Sequence, residues 1–590
     1  MDNQKKDARK LALEKLRHST SHVMAQAVLE IFPDGKVAIG PAIENGFYYD
    51  FELPRSLTPE DLAQIEARMQ AIVKNDFPFI YEEISSAQAK KLFQGQPYKI
   101  ELIQDLLAKD PKAVLSIYKH SDFFDLCRGP HLENVRQIQA PAIKLLHVSG
   151  AYWRGDEKRP MLQRIYGTVW SSKKELKTYL HQVEEAKKRD HRKLGKEMDL
   201  FSFQEEAPGM PFFHHKGTFI WNSLVSYVTD IMVRKNYEIN KTPFILNKSL
   251  WLQSGHWDHY KNNMYFTKID EQDFAVKPMN CPGNILVYKT KQHSYRELPI
   301  RAGEFGLVHR HELSGVLSGL FRVRCFTQDD AHVFCTKEQM KAEIKDLIDF
   351  MDEVYSRFGF QYKLELSTRP EKAMGSKKIW DLAEDTLKEV LIESKKKYKI
   401  NEGDGAFYGP KIDFHLTDAI GRDWQCGTIQ LDFQMPEKFD MTYIGEDNQK
   451  HCPVMIHRAI LGSVERFLGV LVEHFAGHFP LWIAPVQIKI IPIREDHYAY
   501  ANKVQEILKA AGLRSELDVR DERMQAKIRV AQLEKAPYMI IIGDKEVAES
   551  KISIRTKSGK NINDLGLENF IEKCQKQVQE KSIELDETLA

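Results

Sequence analysis

No stretch of this chain approaches the ~18 consecutive apolar residues of a membrane span, so no membrane-crossing helix is expected. The segment from Met1 to Arg17 is charged and lacks the apolar core of a secretory signal. Cysteine is scarce: the 590 residues hold seven, an odd number and widely scattered. That argues against a disulfide framework and for a reducing compartment, so a cytoplasmic location is the default. Net charge is nearly absent, at +1 from 85 basic and 84 acidic side chains. The molecule as a whole therefore gives no electrostatic hint of a nucleic-acid partner. Internal repeats and low-complexity segments are also missing.

What is present is the composition of a globular protein, 42% hydrophobic and 29% charged. The length is too great for one core, so several domains are expected. Residues 1–170 mix patterns, with helical periodicity from Leu16 to Ile31 and a strand at Gly46–Phe51. Residues 171–198 are rich in Lys, Glu and Gln and read as a polar connecting helix. Lys173, Lys174, Lys177, Lys187, Lys188, Arg189, Arg192, Lys193 and Lys196 crowd this segment, either as a solvated face or as a patch for phosphates. Residues 199–482 form a large α+β block with strands at Asp413–Leu416 and Thr428–Phe433 and a helix over Ile456–Phe475. In 483–590, strands and helices alternate, which predicts a small α/β domain with a mostly parallel sheet.

Three residues of the large block have the chemistry of an open zinc site. Cys281 sits in Lys277-Pro278-Met279-Asn280-Cys281-Pro282-Gly283, His332 in Gln328-Asp329-Asp330-Ala331-His332, and His457 in Met455-Ile456-His457-Arg458. One thiolate and two imidazoles suit Zn²⁺, and three protein ligands leave a fourth position for a substrate. Arg310 and Glu312 lie two apart on an expected strand, before a Gly/Ser loop at Ser314–Gly319 and Phe321-Arg322-Val323-Arg324. An Arg there can clamp a phosphate bidentately, and Arg466 is a second candidate phosphate partner, the alternative being a solvated Arg. In the first block, His18 and His22 share a helix face, and Cys127 and His131 are also four apart, a metal-like constellation.

Longer ordered stretches carry a resemblance. They are Thr327-Gln328-Asp329-Asp330-Ala331-His332, Ala406-Phe407-Tyr408-Gly409-Pro410-Lys411, Trp424-Gln425-Cys426-Gly427-Thr428-Ile429-Gln430 and His457-Arg458-Ala459-Ile460-Leu461-Gly462-Ser463. The chain resembles the threonyl-tRNA synthetase family of class II synthetases over almost its whole length from Leu16. Class II motif 1 falls near Gly209–Pro243, motif 2 at Arg301–Arg324 and motif 3 at His457–Arg466. The implied fold is multidomain, α+β and α/β: an N-terminal α+β editing domain (1–170), a linker helix (171–198), an antiparallel-sheet catalytic core (199–482) and a C-terminal α/β anticodon-binding domain (483–590). The implied reaction joins L-threonine to tRNA(Thr) through threonyl-adenylate, with ATP and Mg²⁺, one Zn²⁺ per subunit and a homodimeric assembly.

The resemblance assigns roles by position. Cys281, His332 and His457 hold zinc. Asp330 receives the substrate amine, with Tyr408 and Gln430 around the amino acid. Arg310 holds the α-phosphate and Glu312 the adenine, while Arg322, Lys411, Gln425 and Arg466 line the ATP path. His18, His22, Lys99, Asp125, Cys127 and His131 form a hydrolytic site that clears seryl-tRNA without a required metal. Asp521, Arg529, Glu546 and Arg555 match anticodon-contact positions, although Asp521 stands where Asn is common. Ser318 stands where bacterial members often carry His, and the small ubiquitin-like domain that usually opens the family is not seen before the editing helix. Other readings are a prolyl- or seryl-specific enzyme, a non-catalytic RNA-binding paralogue and a free-standing deacylase. The zinc trio disfavours the first, the presence of Arg310, Asp330 and Arg466 the second, and the large ATP-binding block the third.

Overall fold

The computed structural model describes residues 2–589, with side chains from residue 8 onward. It divides into two compact units, Met1–Glu184 and Glu185–Ala590. The division falls inside helix α3 (Lys173–Arg189; the earlier elements follow below), within the segment expected to be a linker.

The first unit opens with α1 (Asp2–Ile31), which begins well before the expected Leu16. From Arg17 to Val28 nearly every side chain is buried, His18 alone being half-buried. This helix lies on a sheet whose main strands are β1 (Gly46–Glu52), β4 (Ile143–Tyr152) and β5 (Met161–Val169), with β1 and β4 both antiparallel to β5. Phe47, Tyr49 and Phe51 alternate along β1 and are fully buried, as the two-residue period of a strand requires. Helix α2 (Pro97–Lys109) and a second small sheet holding β2 (Leu115–His120) and β3 (Phe123–Leu126) complete the unit.

The second unit starts in α3 and continues through α4 (His191–Glu197) and α5 (His215–Arg234). It is built on an eight-stranded sheet. Its central strands are β6 (Ile300–His309), β7 (Cys325–Cys335), β8 (Gln361–Ser367), β9 (Lys411–Thr417), β10 (Asp423–Asp432) and β11 (Val454–Ala459). They lie in the order β6-β7-β11-β10-β9-β8, and every neighbouring pair is antiparallel. Helices α5, α7 (Met340–Arg357) and α8 (Val464–His474) cover one face with the largest apolar core of the molecule. The other face carries α6 (Cys281–Tyr288) and a smaller cluster around Ile285, Tyr408 and Met435.

One expected element is corrected. Ile456–Phe475 is not a single helix: Val454–Ala459 is strand β11, and only Val464–His474 is helical. Residues 454–458 are buried on both faces of the central sheet and so show no two-residue alternation. A second correction concerns Arg310 and Glu312. Strand β6 ends at His309, so both lie beyond it and the argument from a shared strand face does not apply.

The C-terminal part holds β12 (Ile488–Pro492), β13 (Ser515–Leu517), α9 (Met524–Leu533), β14 (Tyr538–Ile542), α10 (Asp544–Glu549), β15 (Ile552–Thr556) and β16 (Asn561–Leu565). The sheet is mixed rather than mostly parallel. β12 pairs in parallel with β13 and β14, whereas β14–β15 and β15–β16 are antiparallel.

Candidate active sites

The register of the large sheet sets the zinc candidates side by side. His332 on β7 is directly opposite His457 on β11, and Gln430 on β10 is opposite His457 on its other side. Directly opposed residues share a face, and the two imidazole centroids are 5.0 Å apart. Cys281 arrives from the first turn of α6, on the face of the sheet away from the large core. One ligand atom from each of the three lies within 4.8 Å of the other two. All three side chains are buried, yet neither nitrogen of His332 has a hydrogen-bond partner. An unpartnered buried polar group is expensive, and a cation would satisfy it. His457 Nε2 is 2.8 Å from Asp432 Oδ2, which leaves Nδ1 free; a carboxylate behind a ligating imidazole is the usual support. Burial holds His332 well below its ordinary range, in the neutral form that ligates. Burial also pushes the Cys281 thiol well up, a preference that a bound cation reverses. The donor set therefore fits a metal of the zinc type.

This group opens on a cavity of about 360 Å³ that also meets Asp330, Tyr408 and Gln430. Burial pushes the Asp330 carboxyl up to about 6, while Asn280 Nδ2 donates to its Oδ2 at 3.2 Å. Tyr408 donates to Gln430 Oε1 at 2.5 Å. A second lobe of about 310 Å³ shares Arg310, Gln328 and Thr428 with the first. Glu312, Phe321, Arg322, Gln425 and Arg466 line it. Here Arg310 lies over the Phe326 ring and donates to the Pro278 carbonyl. Arg322 reaches Glu312 Oε2 through two nitrogens, and Arg466 Nε has no partner. Asp413 organises the far wall: its carboxylate takes Lys411 at 2.5 Å, Gln425 at 2.8 Å, Ser367 at 2.9 Å and Thr428 at 3.1 Å.

In the first unit, His18 and His22 on α1 meet Cys127 and His131 beyond β3, with ligand atoms again within 4.8 Å of one another. Cys127 Sγ is 3.4 Å from His18 Nε2 and 3.2 Å from His131 Nε2. Lys99 on α2 is 2.5 Å from Asp125 Oδ1, and Tyr49 donates to Asp125 Oδ2 at 2.5 Å. Burial lowers all three imidazoles, His131 to about 2, and pushes Cys127 up to about 12. All six expected residues thus meet in one place, as neutral imidazoles and a thiol beside a Lys–Asp pair.

The four anticodon candidates are not joined to one another by any hydrogen bond among the described residues. Asp521 and Arg529 are exposed. Both Glu546 oxygens are occupied, by the Gly543 N–H and the Ser553 hydroxyl. Arg555 donates to Asn561.

Comparison with curated proteins settles the family. The threonine–tRNA ligase of Clostridium tetani is 57% identical over 96% of this chain and 89% of that protein. That of Desulforamulus reducens is 55% identical over the same shares. The chain belongs to the threonine–tRNA ligase family. Three family models match segments of this ligase. "tRNA synthetase class II core domain (G, H, P, S and T)" matches residues 265–475, "Anticodon binding domain" 487–577, and "Threonyl and Alanyl tRNA synthetase second additional domain" 115–166. Among solved structures, the RNA binding domain of threonyl-tRNA synthetase from Cryptosporidium parvum matches with TM-score 0.64 and 40% identity, over 66% of this chain and 98% of that one. Prolyl-tRNA synthetase of the same organism, at TM-score 0.53 and 16% identity over 66% and 75%, shares the fold alone. No helix among the described residues of the ligase is long and apolar enough to cross a membrane.

Several residues that support the candidate sites were not found from sequence. Asn280, Asp413 and Asp432 each position an expected residue, and Tyr49 does the same for Asp125. Of these only Asn280 adjoins an expected site residue in sequence, Cys281.

Proposed function

We propose that the cleft of the second unit activates L-threonine with ATP, forming threonyl-adenylate and pyrophosphate, and passes the threonyl group to the 3′ end of tRNA(Thr). The observation that carries this reading is the buried Cys281–His332–His457 group, with His332 nitrogens that make no hydrogen bond, opening beside Asp330. When bound, a zinc ion there supplies a Lewis-acid position for an amine and a β-hydroxyl together. Asp330, held by Asn280, takes the substrate ammonium. Tyr408 and Gln430 close the side of the cavity. A site built to bind the hydroxyl rejects valine by ~10⁴–10⁵, whereas serine loses only a methyl, worth roughly 10–200-fold. Serine therefore enters, and a correcting step is needed.

In the second lobe, attack of the threonine carboxylate on the α-phosphate builds negative charge where Arg310 and Arg466 sit, with Mg²⁺ accompanying the nucleotide. Glu312, Lys411 and Gln425 hold the rest of the nucleotide and adenylate. The first unit, with Lys99–Asp125–Tyr49 beside neutral His18, His22, His131 and Cys127, positions a water against a seryl ester. The segments read as editing domain 1–170, linker 171–198, catalytic domain 199–482 and anticodon-binding domain 483–590, the last meeting tRNA through Asp521, Arg529, Glu546 and Arg555. Exposed Val233, Ile239, Phe244 and Ile245, on and after α5, support a second copy of the chain as partner.

ATP–pyrophosphate exchange tests the reading. Exchange should depend on threonine, run roughly 10–200-fold less efficiently with serine and be undetectable with valine. Metal analysis should find one zinc per chain, lost together with exchange in Cys281→Ala. Exchange indifferent to the amino acid would overturn the proposal.

A further inference from the structure

His191 opens α4, and its side chain is fully buried. Three contacts fix it. Its Nδ1 lies 2.7 Å from Glu473 Oε1 on α8, and its backbone N–H donates to the same oxygen at 3.0 Å. Its Nε2 accepts the Leu320 N–H at 3.0 Å. The tautomer follows: Nδ1 carries the proton and Nε2 offers its lone pair. Asp190, His191 and Glu473 also have metal-like spacing, but a cation would need the Nε2 lone pair that Leu320 already uses. This group is therefore a connector rather than a metal site.

What it connects is the turn Gly319–Phe321 between β6 and β7, which leads directly into Arg322. The Phe321 ring stands 4.1 Å from His191 and 4.1 Å from Trp424 on β10. Gly319 has φ +49, and a Cβ there would lie 2.2 Å from His191 Nε2, so the turn is moulded on the imidazole. Glu473 Oε2 in turn pairs with Arg422 at 2.5 Å, just before β10 and its Gln425. One ring thus ties the turn carrying Phe321 and Arg322 to α8, which bears Arg466, and to the start of β10. These are walls of the second lobe.

We propose that His191, supplied by the linker segment, is a positioning residue of the ATP lobe: its Nε2, through the Leu320 N–H, sets the turn that presents Phe321 and Arg322 to the nucleotide. The inference rests on the reading of that lobe as the ATP site. His191 does not itself line the lobe.

Two conservative variants of the full chain separate the two ring contacts. In His191→Asn the amide nitrogen replaces Nδ1, so the Glu473 bond is kept and the Leu320 acceptor is lost. In His191→Gln the amide oxygen stands near Nε2, so the Leu320 acceptor is kept and the Glu473 donor is lost. Equilibrium ATP binding, KM for ATP and for threonine in exchange, Tm and seryl-tRNA hydrolysis are measured on each. His191→Asn should weaken ATP binding and raise its KM about tenfold, the scale of one hydrogen bond, with the threonine KM and seryl-tRNA hydrolysis unchanged. His191→Gln should bring ATP binding back to within about threefold of wild type, while its Tm falls. Unaltered ATP binding in His191→Asn would overturn the proposal. So would losses in both variants that follow Tm and affect both substrates alike. Wild-type protein that does not bind ATP would instead remove the reading of the lobe, and the proposal with it.

Discussion

Single buried side chains set the local electrostatics of the second unit. Glu465 is an example away from the ligands: it is buried in the first turn of α8, its Oε2 accepts the Thr327 N–H at 2.8 Å, and burial pushes its carboxyl up to about 7. Its folded value lies above the unfolded one, so between about pH 4.5 and 7 the folded state binds more protons. Stability from this group is therefore present at low pH and is lost as pH rises through 7. Glu465→Gln keeps an oxygen for Thr327 and cannot ionise. Relative to wild type it should gain about 3 kcal/mol between pH 5 and pH 8, read as a Tm gap that widens by a few degrees. A gap that stays constant with pH would show that Glu465 is ionised in the folded protein throughout. At this scale the sequence was readable where residues sit in long ordered motifs: Cys281, His332, His457, Arg310 and Asp330 come together in the lining of one cavity. Asp413 and Asp432 were not readable in this way. A carboxylate that supports its neighbours across two strands has no spacing of its own, because the register that gives it a role exists only in the sheet.

Elements were legible where a period shows on the surface and not where both faces are buried. The alternation in β1 and the amphipathic α8 could be read, and Arg466 lies on the latter. Strand β11 could not, because Val454–Arg458 is buried throughout and Ile456 and Ile460 happen to continue the helical spacing of α8. What separates strand from helix is the turn at Gly462, with φ +74 and a would-be Cβ only 2.7 Å from the Cys426 carbonyl. That turn lets His457 remain on a strand beside His332 while Ser463, its side chain accepting from the Arg466 N–H, starts the helix. Gly462→Ala would meet both an unfavourable φ and backbone that cannot move without shifting β10. It should destabilise the second unit by about 1–3 kcal/mol, seen as a lower Tm, and should reduce exchange more than it reduces zinc content, since Arg466 lies beyond the turn and His457 before it. Full stability in this variant would mean that the turn has another conformation open to it.

At the scale of the whole molecule, the proposed selection and correction steps fall in different compact units. A cavity that recognises the hydroxyl rejects valine and admits serine, so on the proposed reading accuracy comes from hydrolysis after transfer. The structure places the Cys127 cluster and the Cys281 cluster in units that each have their own core. Loss of one thiol should therefore leave the other activity standing. Cys127→Ala should keep threonine-dependent exchange within about twofold of wild type, because the proposed activation site is built from residues of the second unit, yet accumulate seryl-tRNA(Thr) when serine is supplied; removal of a positioned hydrolytic group costs ~10²–10⁴ in rate. Cys281→Ala should lose exchange and zinc together and still hydrolyse seryl-tRNA(Thr) prepared separately. Both variants are followed with the same labelled tRNA, so a common folding defect would appear as loss of both activities at once. If Cys281→Ala also abolished hydrolysis while its Tm was unchanged, the two clusters would have to form one chemical unit, and the division of labour drawn from the serine problem would be wrong.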